Sequence, residues 1–208
     1  MGRVSEAAGL RIGLLGGTFD PPHLAHVALA DAARTQLALD RVVFVPAGDP
    51  WRKRDRAVSP AQARLAMLQA AVVGLAWAEV STVDIDRAGP SYTADTLADL
   101  VRPGERWWFI IGADAMADMA HWHEPARIIE QARLAVAYRP GAEPAAVSQE
   151  LRSAMPGIEE RLDRLEMPPM DVSSTEIRAR VRDGLPTDGL LSPAVRAVVD
   201  QLGLYSAG

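Results

Sequence analysis

Cysteine and asparagine are absent from the 208-residue chain, and Lys53 is the one lysine among 22 basic residues. The lack of cysteine excludes disulfides, thiolate catalysis, zinc–thiolate sites and iron–sulfur clusters. Positive charge is in deficit as well, because the formal net charge is -5. Nucleic-acid binding needs a broad basic face, so we expect no nucleic-acid partner. Small anionic ligands remain compatible with this charge where basic side chains gather locally.

Long apolar runs are also missing. The longest charge-free stretch near the middle of the chain, residues 65–78, contains Gln69 and Gly74 and is shorter than the roughly 20 apolar residues that a membrane span requires. Glu6 and Arg11 interrupt the N-terminal region, where a secretory signal would need an apolar run. We therefore expect a cytoplasmic protein with no membrane partner.

The composition and length of the chain are typical of a folded globular domain. Hydrophobic residues make up 49% and charged residues 24%, which excludes a mainly disordered chain. The length predicts one domain. We expect residues 1–10 to form a flexible tail and residues 11–208 to form that single domain.

Apolar runs and helix-like stretches alternate along the chain. The pattern predicts strands at residues 12–15, 42–45, 79–85, 107–111, 134–138 and 162–167. It predicts helices at residues 22–37, 60–73, 93–100, 175–182 and 193–202. This alternation indicates a doubly wound α/β fold, with a parallel sheet and C-terminal helices. Ligands of such folds bind at the carboxyl ends of the strands, so the loops there carry the candidate site.

The first of these loops is the segment GGTFDPPHLAH at residues 16–26. Gly16 and Gly17 let the backbone turn and approach a ligand closely, and Asp20 followed by proline indicates a helix start, where backbone N–H groups favour phosphate. His23 and His26 lie on one face of the first helical turn. A glycine turn before a helix is common by itself, but its combination with paired histidines is specific. No third ligand has an obvious spacing, so no protein metal site is predicted.

This segment resembles the signature of the nucleotidylyltransferase superfamily, and its Gly-Thr-Phe-Asp-Pro form is similar to that of bacterial nicotinate-nucleotide adenylyltransferases. Further landmarks of that family follow: YTADTL at residues 92–97, GAD at 112–114, WH at 122–123 and VSSTEIR at 172–178. The resemblance spans the chain from residue 11 onward. It implies a Rossmann-like nucleotidylyltransferase fold that transfers AMP from ATP to nicotinate mononucleotide and releases pyrophosphate, a step of NAD biosynthesis. The attacking phosphate is already anionic, so no nucleophilic side chain is needed.

The resemblance also implies residue roles. The catalytic residues would be His23, His26 and Arg178, which would hold the ATP phosphates and stabilise the leaving charge. The other ATP-binding residues would be Gly16, Gly17, Thr18, Phe19, Gly112, Asp114, Ser174 and Thr175. The substrate-binding residues would be Lys53, Thr93, Trp122 and His123. Phosphates should favour the charged form of both imidazoles near neutral pH. Mg²⁺ is implied as a counter-charge that enters with ATP.

Simpler interpretations of several residues stay open. The charged run around Lys53 is also typical of a solvated loop, Thr93 of a plain helix cap, and Trp122 of a core residue. Without the first motif, the segment containing Arg178 is equally typical of an ordinary N-cap with an exposed arginine. Two departures from the family pattern are Ala25, where glycine is usual, and His123, where many relatives have tyrosine.

Other functions stay open too. The nearest alternative is an adenylyltransferase for nicotinamide mononucleotide or phosphopantetheine, which the Gly-Thr-Phe-Asp-Pro form disfavours. A non-catalytic nucleotide-binding regulator is a second alternative, disfavoured by the intact His23, His26 and Arg178. Homo-oligomer formation is compatible with the sequence, which does not determine it.

Overall fold

The computed structural model describes residues 9–50, 58–138, 147–167 and 170–206. Within these ranges six strands form one parallel sheet. The strands are β1 (Arg11–Gly17), β2 (Arg41–Pro46), β3 (Ala78–Val80), β4 (Arg106–Gly112), β5 (Arg133–Tyr138) and β6 (Leu162–Glu166). Their spatial order is β3-β2-β1-β4-β5-β6. The predicted doubly wound fold is therefore confirmed, whereas residues 1–8 of the predicted tail lie outside the described ranges.

Helices connect the strands on both sides of the sheet. The α-helices of the described residues are α1 (Leu24–Gln36), α2 (Ala61–Val72), α3 (Val83–Asp86), α4 (Thr93–Leu100), α5 (Ala113–Ala117), α6 (Pro125–Gln131), α7 (Gln149–Ala154), α8 (Ser174–Arg182) and α9 (Pro193–Gln201). Short 3-10 turns lie at Met119–His121 and Ile158–Arg161. None of the helices in the described ranges has the length and apolar character needed to cross a membrane.

Two predicted elements differ from the structure. The predicted strand at residues 79–85 is wrong beyond Val80, because α3 begins at Val83. Acidic side chains near a helix N-terminus favour this turn, and Asp84 also bonds to α4. The first helix begins at Leu24 rather than at residue 22, with His23 in extended conformation as its N-cap. Asp20 caps no helix because its carboxylate accepts hydrogen bonds from elsewhere.

The core lies on both faces of the sheet, as expected for strands that are buried throughout. Successive residues of β4 show this division: Trp107 and Phe109 belong to one buried cluster, and Trp108 and Ile110 belong to the other. The alternation follows from the two-residue period of a strand. Both faces are therefore covered, which leaves the loops at the ends of the strands to carry a site.

The two C-terminal helices pack on α2 rather than on the sheet. Their buried contacts include Met67 of α2, Ile177 of α8 and Val195 and Val199 of α9. This third cluster attaches the end of the chain beside the loop that follows β1. At the β6 edge of the sheet, the side-chain amide of Gln36 bonds to both backbone groups of Glu166. Its Nε2 donates to the carbonyl at 2.7 Å, and its Oε1 accepts the N–H at 2.9 Å.

Candidate active site

A cavity of about 560 Å³ opens at the carboxyl ends of the neighbouring strands β1 and β4. The order of the sheet reverses between these strands, because β2 and β3 lie on one side and β5 and β6 on the other. Ligands of doubly wound folds bind at such a reversal. The cavity brings together seven predicted site residues: Gly16, Gly17, Thr18, Thr93, Asp114, Trp122 and His123.

The loop after β1 is supported from below by Phe19. This residue has a φ of 51°, and its ring is only 2% exposed. A Cβ on Gly17 would lie 3.1 Å from the Phe19 ring, and the same ring meets His26 edge-on at 5.0 Å between centroids. A side chain at position 17 would require the Phe19 ring to shift by a few tenths of an ångström, which favours glycine there. Phe19 therefore supports the loop with its side chain and does not line the cavity.

The predicted histidine pair lies side by side at the start of α1. The ring centroids of His23 and His26 are 3.7 Å apart, and the backbone N–H of His23 donates to Nδ1 of His26 at 3.1 Å. Because Nδ1 accepts this bond, the proton of a neutral His26 ring resides on Nε2. The pairing of the two rings is as expected, although neither of them lines the 560 Å³ cavity.

The charge of the His23 ring depends on what surrounds it. Burial lowers its pKa to about 4, so the ring is neutral at pH 7 in the free protein, whereas the predicted charged form is the one that bound phosphates would favour. Its Nδ1 atom is buried and has no hydrogen-bond partner among the described residues. A buried polar atom of this kind is destabilising by about 1–3 kcal/mol unless a ligand or water satisfies it.

The second predicted motif is attached to the same loop. Ser173 caps α8 by accepting the N–H of Glu176 at 3.2 Å. The Ser174 hydroxyl donates to the carbonyl of Pro21 at 2.9 Å, and Nη1 of Arg178 donates to the carbonyl of Asp20 at 2.7 Å. The start of α8 is thereby fixed against the residues that immediately precede His23.

Arg178 lines a second, smaller cavity of about 340 Å³ together with Asp20, Ser59, Arg182 and Tyr205. Its Nη2 also donates to Oγ1 of Thr175 at 3.3 Å. The predicted catalytic residues thus surround one loop, but the histidines and Arg178 do not share the larger cavity. The arrangement gives that loop a cationic side on α8 and a side that opens into the larger cavity.

Aromatic side chains form the far wall of the larger cavity. The ring of His123 stacks on Tyr92 with 4.1 Å between centroids, and Trp122 meets the core residue Phe109 edge-on at 6.0 Å. Trp122 therefore serves both interpretations, because it packs against the core and also lines the cavity. Thr93 is the first residue of α4 and faces the same space.

Gly112 and Lys53 complete the predicted set. Gly112 ends β4 as the N-cap of α5, and a Cβ there would have no neighbour within 4 Å. Lys53 lies outside the described residues, although Pro50 just before it lines the larger cavity.

Two charged residues of the site escaped the sequence analysis. Asp84 is 6% exposed and lines the larger cavity, and its Oδ1 accepts bonds from Thr96 Oγ1 and Arg87 Nη2, both at 2.6 Å. Burial raises the pKa of this carboxyl group, although the hydrogen bond from Thr96 and the positive charge of Arg87 oppose the rise. The sequence pattern predicts a strand for this segment and so gives no indication of the carboxylate that a helical turn brings to the cavity.

Arg64 is the second charged residue of the site that the sequence analysis missed, and it is only 1% exposed. Its guanidinium donates to the carbonyls of Thr18 at 2.9 Å, Ser59 at 2.9 Å and Gly48 at 3.2 Å. It therefore joins the loops that follow β1 and β2. An arginine within the apolar face of a predicted helix was the available signal.

The charged side chains that line the larger cavity are acidic. Among its described lining residues are Asp84, Asp114 and Asp118, and no arginine or lysine. Carboxylates accept hydrogen bonds from hydroxyl and amino groups, whereas phosphates require donors or cations. The cavity therefore suits the sugar and base parts of a nucleotide, and the Arg178 side of the loop suits its phosphates. In the described ranges no group of three His, Asp or Glu side chains could hold a metal ion.

Known proteins resemble this chain over nearly its full length. Residues 14–180 match the family described as Cytidylyltransferase-like. A protein of Roseiflexus sp. (strain RS-1), named "Probable nicotinate-nucleotide adenylyltransferase", is 44% identical over 195 residues, which cover 93% of this chain and 97% of that protein. A protein of Bordetella avium (strain 197N) with the same name is also 44% identical, covering 94% of this chain and 98% of its own length.

Solved structures of low sequence identity share the fold. Plasmodium falciparum nicotinic acid mononucleotide adenylyltransferase complexed with NaAD superposes with a TM-score of 0.72 at 16% identity, covering 94% of this chain and 97% of that chain. The structure of a putative nicotinate-nucleotide adenylyltransferase from Vibrio parahaemolyticus superposes with a TM-score of 0.63 at 18% identity, covering 96% of this chain and 97% of that chain.

Proposed function

The chain belongs to the cytidylyltransferase-like family and is closely related to nicotinate-nucleotide adenylyltransferases, and we propose that it transfers AMP from ATP to nicotinate mononucleotide. The products are nicotinate adenine dinucleotide and pyrophosphate, and the reaction is a step of NAD biosynthesis. A cytoplasmic location accompanies this proposal, because ATP is available there as co-substrate.

One observation supports the proposal most directly. The glycine loop after β1 separates a cavity suited to nucleoside groups from the cationic side formed by α8. Asp20 and Pro21 of this loop are bonded to Arg178 and Ser174, and the loop leads into the histidine pair. Adenylyl transfer needs such a layout, because the nucleoside groups offer hydroxyl groups to acceptors, whereas the phosphates need donors and positive charge.

The bond changes are those of an in-line substitution. An oxygen of the mononucleotide phosphate forms a bond to the α-phosphorus of ATP, and the bond from that phosphorus to the bridging oxygen of pyrophosphate breaks. The protein aligns the groups and stabilises the charge that develops on pyrophosphate. His26 would donate from Nε2, Arg178 from its guanidinium, and the backbone N–H groups of Thr18 and Phe19 would complete the donor set.

Mg²⁺ fits this arrangement as a companion of the nucleotide. The described residues offer no cluster of three ligating side chains, and Mg²⁺ commonly takes its ligands from substrate phosphates and water. When bound, the ion would neutralise phosphate charge. Ser174 and Thr175 at the start of α8 would bind phosphate oxygens beside it.

The acceptor and the nucleoside groups would occupy the larger cavity. Trp122 would stack on the pyridine ring, Thr93 and the backbone at His123 would meet the ring carboxylate, and Asp114 would accept from a ribose hydroxyl. Gly16, Gly17 and Gly112 would allow the nucleotide to approach the backbone closely. Lys53, outside the described residues, would contact the phosphate of the mononucleotide.

Pyrophosphate release with ATP, Mg²⁺ and single acceptors tests the proposal. We expect turnover with nicotinate mononucleotide and at most weak turnover with nicotinamide mononucleotide or phosphopantetheine. Turnover confined to either of those two acceptors would replace the proposed substrate. ATP binding without turnover on any acceptor would instead indicate a nucleotide-binding regulator.

A further inference from the structure

The hydroxyl of Tyr205 reaches the glycine loop from the far end of the chain. It donates to Oδ1 of Asp20 at 2.6 Å across 185 positions of sequence. The other carboxylate oxygen, Oδ2, accepts the backbone N–H of Ser59 at 3.3 Å, and the carbonyl of Asp20 accepts Nη1 of Arg178. Asp20 is itself only 5% exposed. Three separate elements therefore hold one buried residue of the loop.

Backbone strain lies at both ends of this hydrogen bond. Phe19, directly before Asp20, has a φ of 51°, and Tyr205 has a φ of 65°. Non-glycine residues adopt this left-handed conformation at an energetic cost and keep it where the surrounding structure enforces it. Such strain is concentrated at sites where a loop must be held in one arrangement.

The C-terminal turn is itself held firmly. The N–H of Leu204 donates to the carbonyl of Val199 at 3.0 Å, and α9 packs on α2 through Val195 and Val199. Burial raises the pKa of the Tyr205 hydroxyl, and the bond to Asp20 raises it further. The hydroxyl therefore stays protonated and remains a donor throughout the range in which enzymes operate.

We propose that Tyr205 is a positioning residue for phosphate transfer, which acts through Asp20 to hold the glycine loop and the histidine pair in their reactive arrangement. Tyr205 does not line the larger cavity, and its effect reaches the phosphates through the backbone between Asp20 and His23. The proposal rests on the adenylyl transfer proposed above.

Tyr205→Phe is the variant that tests this role, because it keeps the ring and removes only the donor. We expect kcat of pyrophosphate release to fall roughly tenfold or more, with KM for the mononucleotide within about twofold of the wild-type value. The matched control is Leu204→Ala, which removes partly buried packing from the same turn and should lower Tm without lowering kcat. If Asp20 transmits the effect, the two substitutions should not add. The double variant with Asp20→Asn and Tyr205→Phe should then have the same kcat as Asp20→Asn alone.

An unchanged kcat in Tyr205→Phe would overturn the proposal, and so would an equal loss of kcat in Leu204→Ala. Amide hydrogen exchange supplies a readout that does not depend on activity. If the wild-type protein turns over no acceptor, the proposed function fails and exchange decides the role of Tyr205. Faster exchange at the amides of residues 17–20 and of His23 in Tyr205→Phe but not in Leu204→Ala supports positioning, and unchanged exchange there refutes it.

Discussion

At His23 the requirements of burial and of phosphate binding oppose one another. A ring with a pKa of about 4 contributes a neutral hydrogen-bonding group at pH 7 rather than a cation. Arginines supply positive charge beside the loop, because Arg178 donates to the carbonyl of Asp20 and Arg64 donates to the carbonyl of Thr18. The histidine motif was visible in the sequence, but its charge depends on the exposed fraction of the ring, which the sequence does not report.

The depressed pKa of His23 predicts a loss of stability in mild acid. The unfolded chain binds a proton below pH 6.5, whereas the folded ring resists protonation until about pH 4, so the free energy of unfolding falls as pH falls through this window. Between pH 7 and pH 5 we expect the wild-type protein to lose about 2 kcal/mol more than His23→Gln, which cannot titrate. Urea denaturation of both proteins at the two pH values measures this difference, and equal losses would contradict it.

His26 should matter for turnover. If its Nε2–H stabilises leaving pyrophosphate, His26→Ala should lower kcat by roughly 100-fold or more, as removal of one preorganised donor does. His121→Ala is the matched control, because that side chain is 64% exposed and lies outside both cavities. Steady-state pyrophosphate release measures both variants. A loss of less than tenfold for His26→Ala would assign that ring to packing.

Among the elements, the long apolar strands could be predicted and the short helices could not. Strands such as β4 are continuous hydrophobic runs, which identifies them without neighbours. Helices α3, α5, α6 and α7 have four to seven residues, too few to show a helical period. Contacts distant in sequence hold them instead, as the bond between Thr96 and Asp84 does for α3.

The loop after β2 passes very close to the backbone of α3, and this contact predicts a loss of stability on substitution. A Cβ on Gly48 would lie 2.1 Å from the carbonyl oxygen of Asp84, and that backbone atom cannot move aside alone. Gly48→Ala should therefore lower the free energy of unfolding by about 3 kcal/mol. Gly112→Ala, where a Cβ meets nothing within 4 Å, should change it by less than about 1 kcal/mol. Denaturant titrations of the two variants measure this contrast, and similar midpoints would contradict it.

For the whole molecule, the sheet joins the buried clusters into one structure. Trp107 and Trp108 are neighbours in β4 but lie in opposite clusters, so neither face can unpack while the other stays intact. The single domain predicted for residues 11–208 should therefore unfold in one cooperative step. Tryptophan fluorescence and far-ultraviolet circular dichroism should give coincident denaturation curves, whereas two separated transitions would indicate two domains.

The hydrogen bonds that join the site loops to residues distant in sequence could not be predicted from any sequence pattern. The sequence does predict that the motif-bearing loops lie on one side of the sheet, because parallel strands bring their carboxyl ends together. Arg64 and Tyr205 act by reaching loops that are far away along the chain. Their partners are backbone carbonyls and one buried carboxylate, and such contacts leave no periodic or motif signal.

The amide of Gln36 has a consequence for the outer edge of the sheet. Met167 donates its N–H toward Tyr138 of β5, so the adjacent Glu166 directs its own backbone groups away from the sheet, where Gln36 bonds to both of them. An incoming strand from another molecule finds that position already occupied. One side chain from α1 thus opposes intermolecular strand addition at this position of the β6 edge, where an exposed parallel sheet would otherwise invite ordered aggregation.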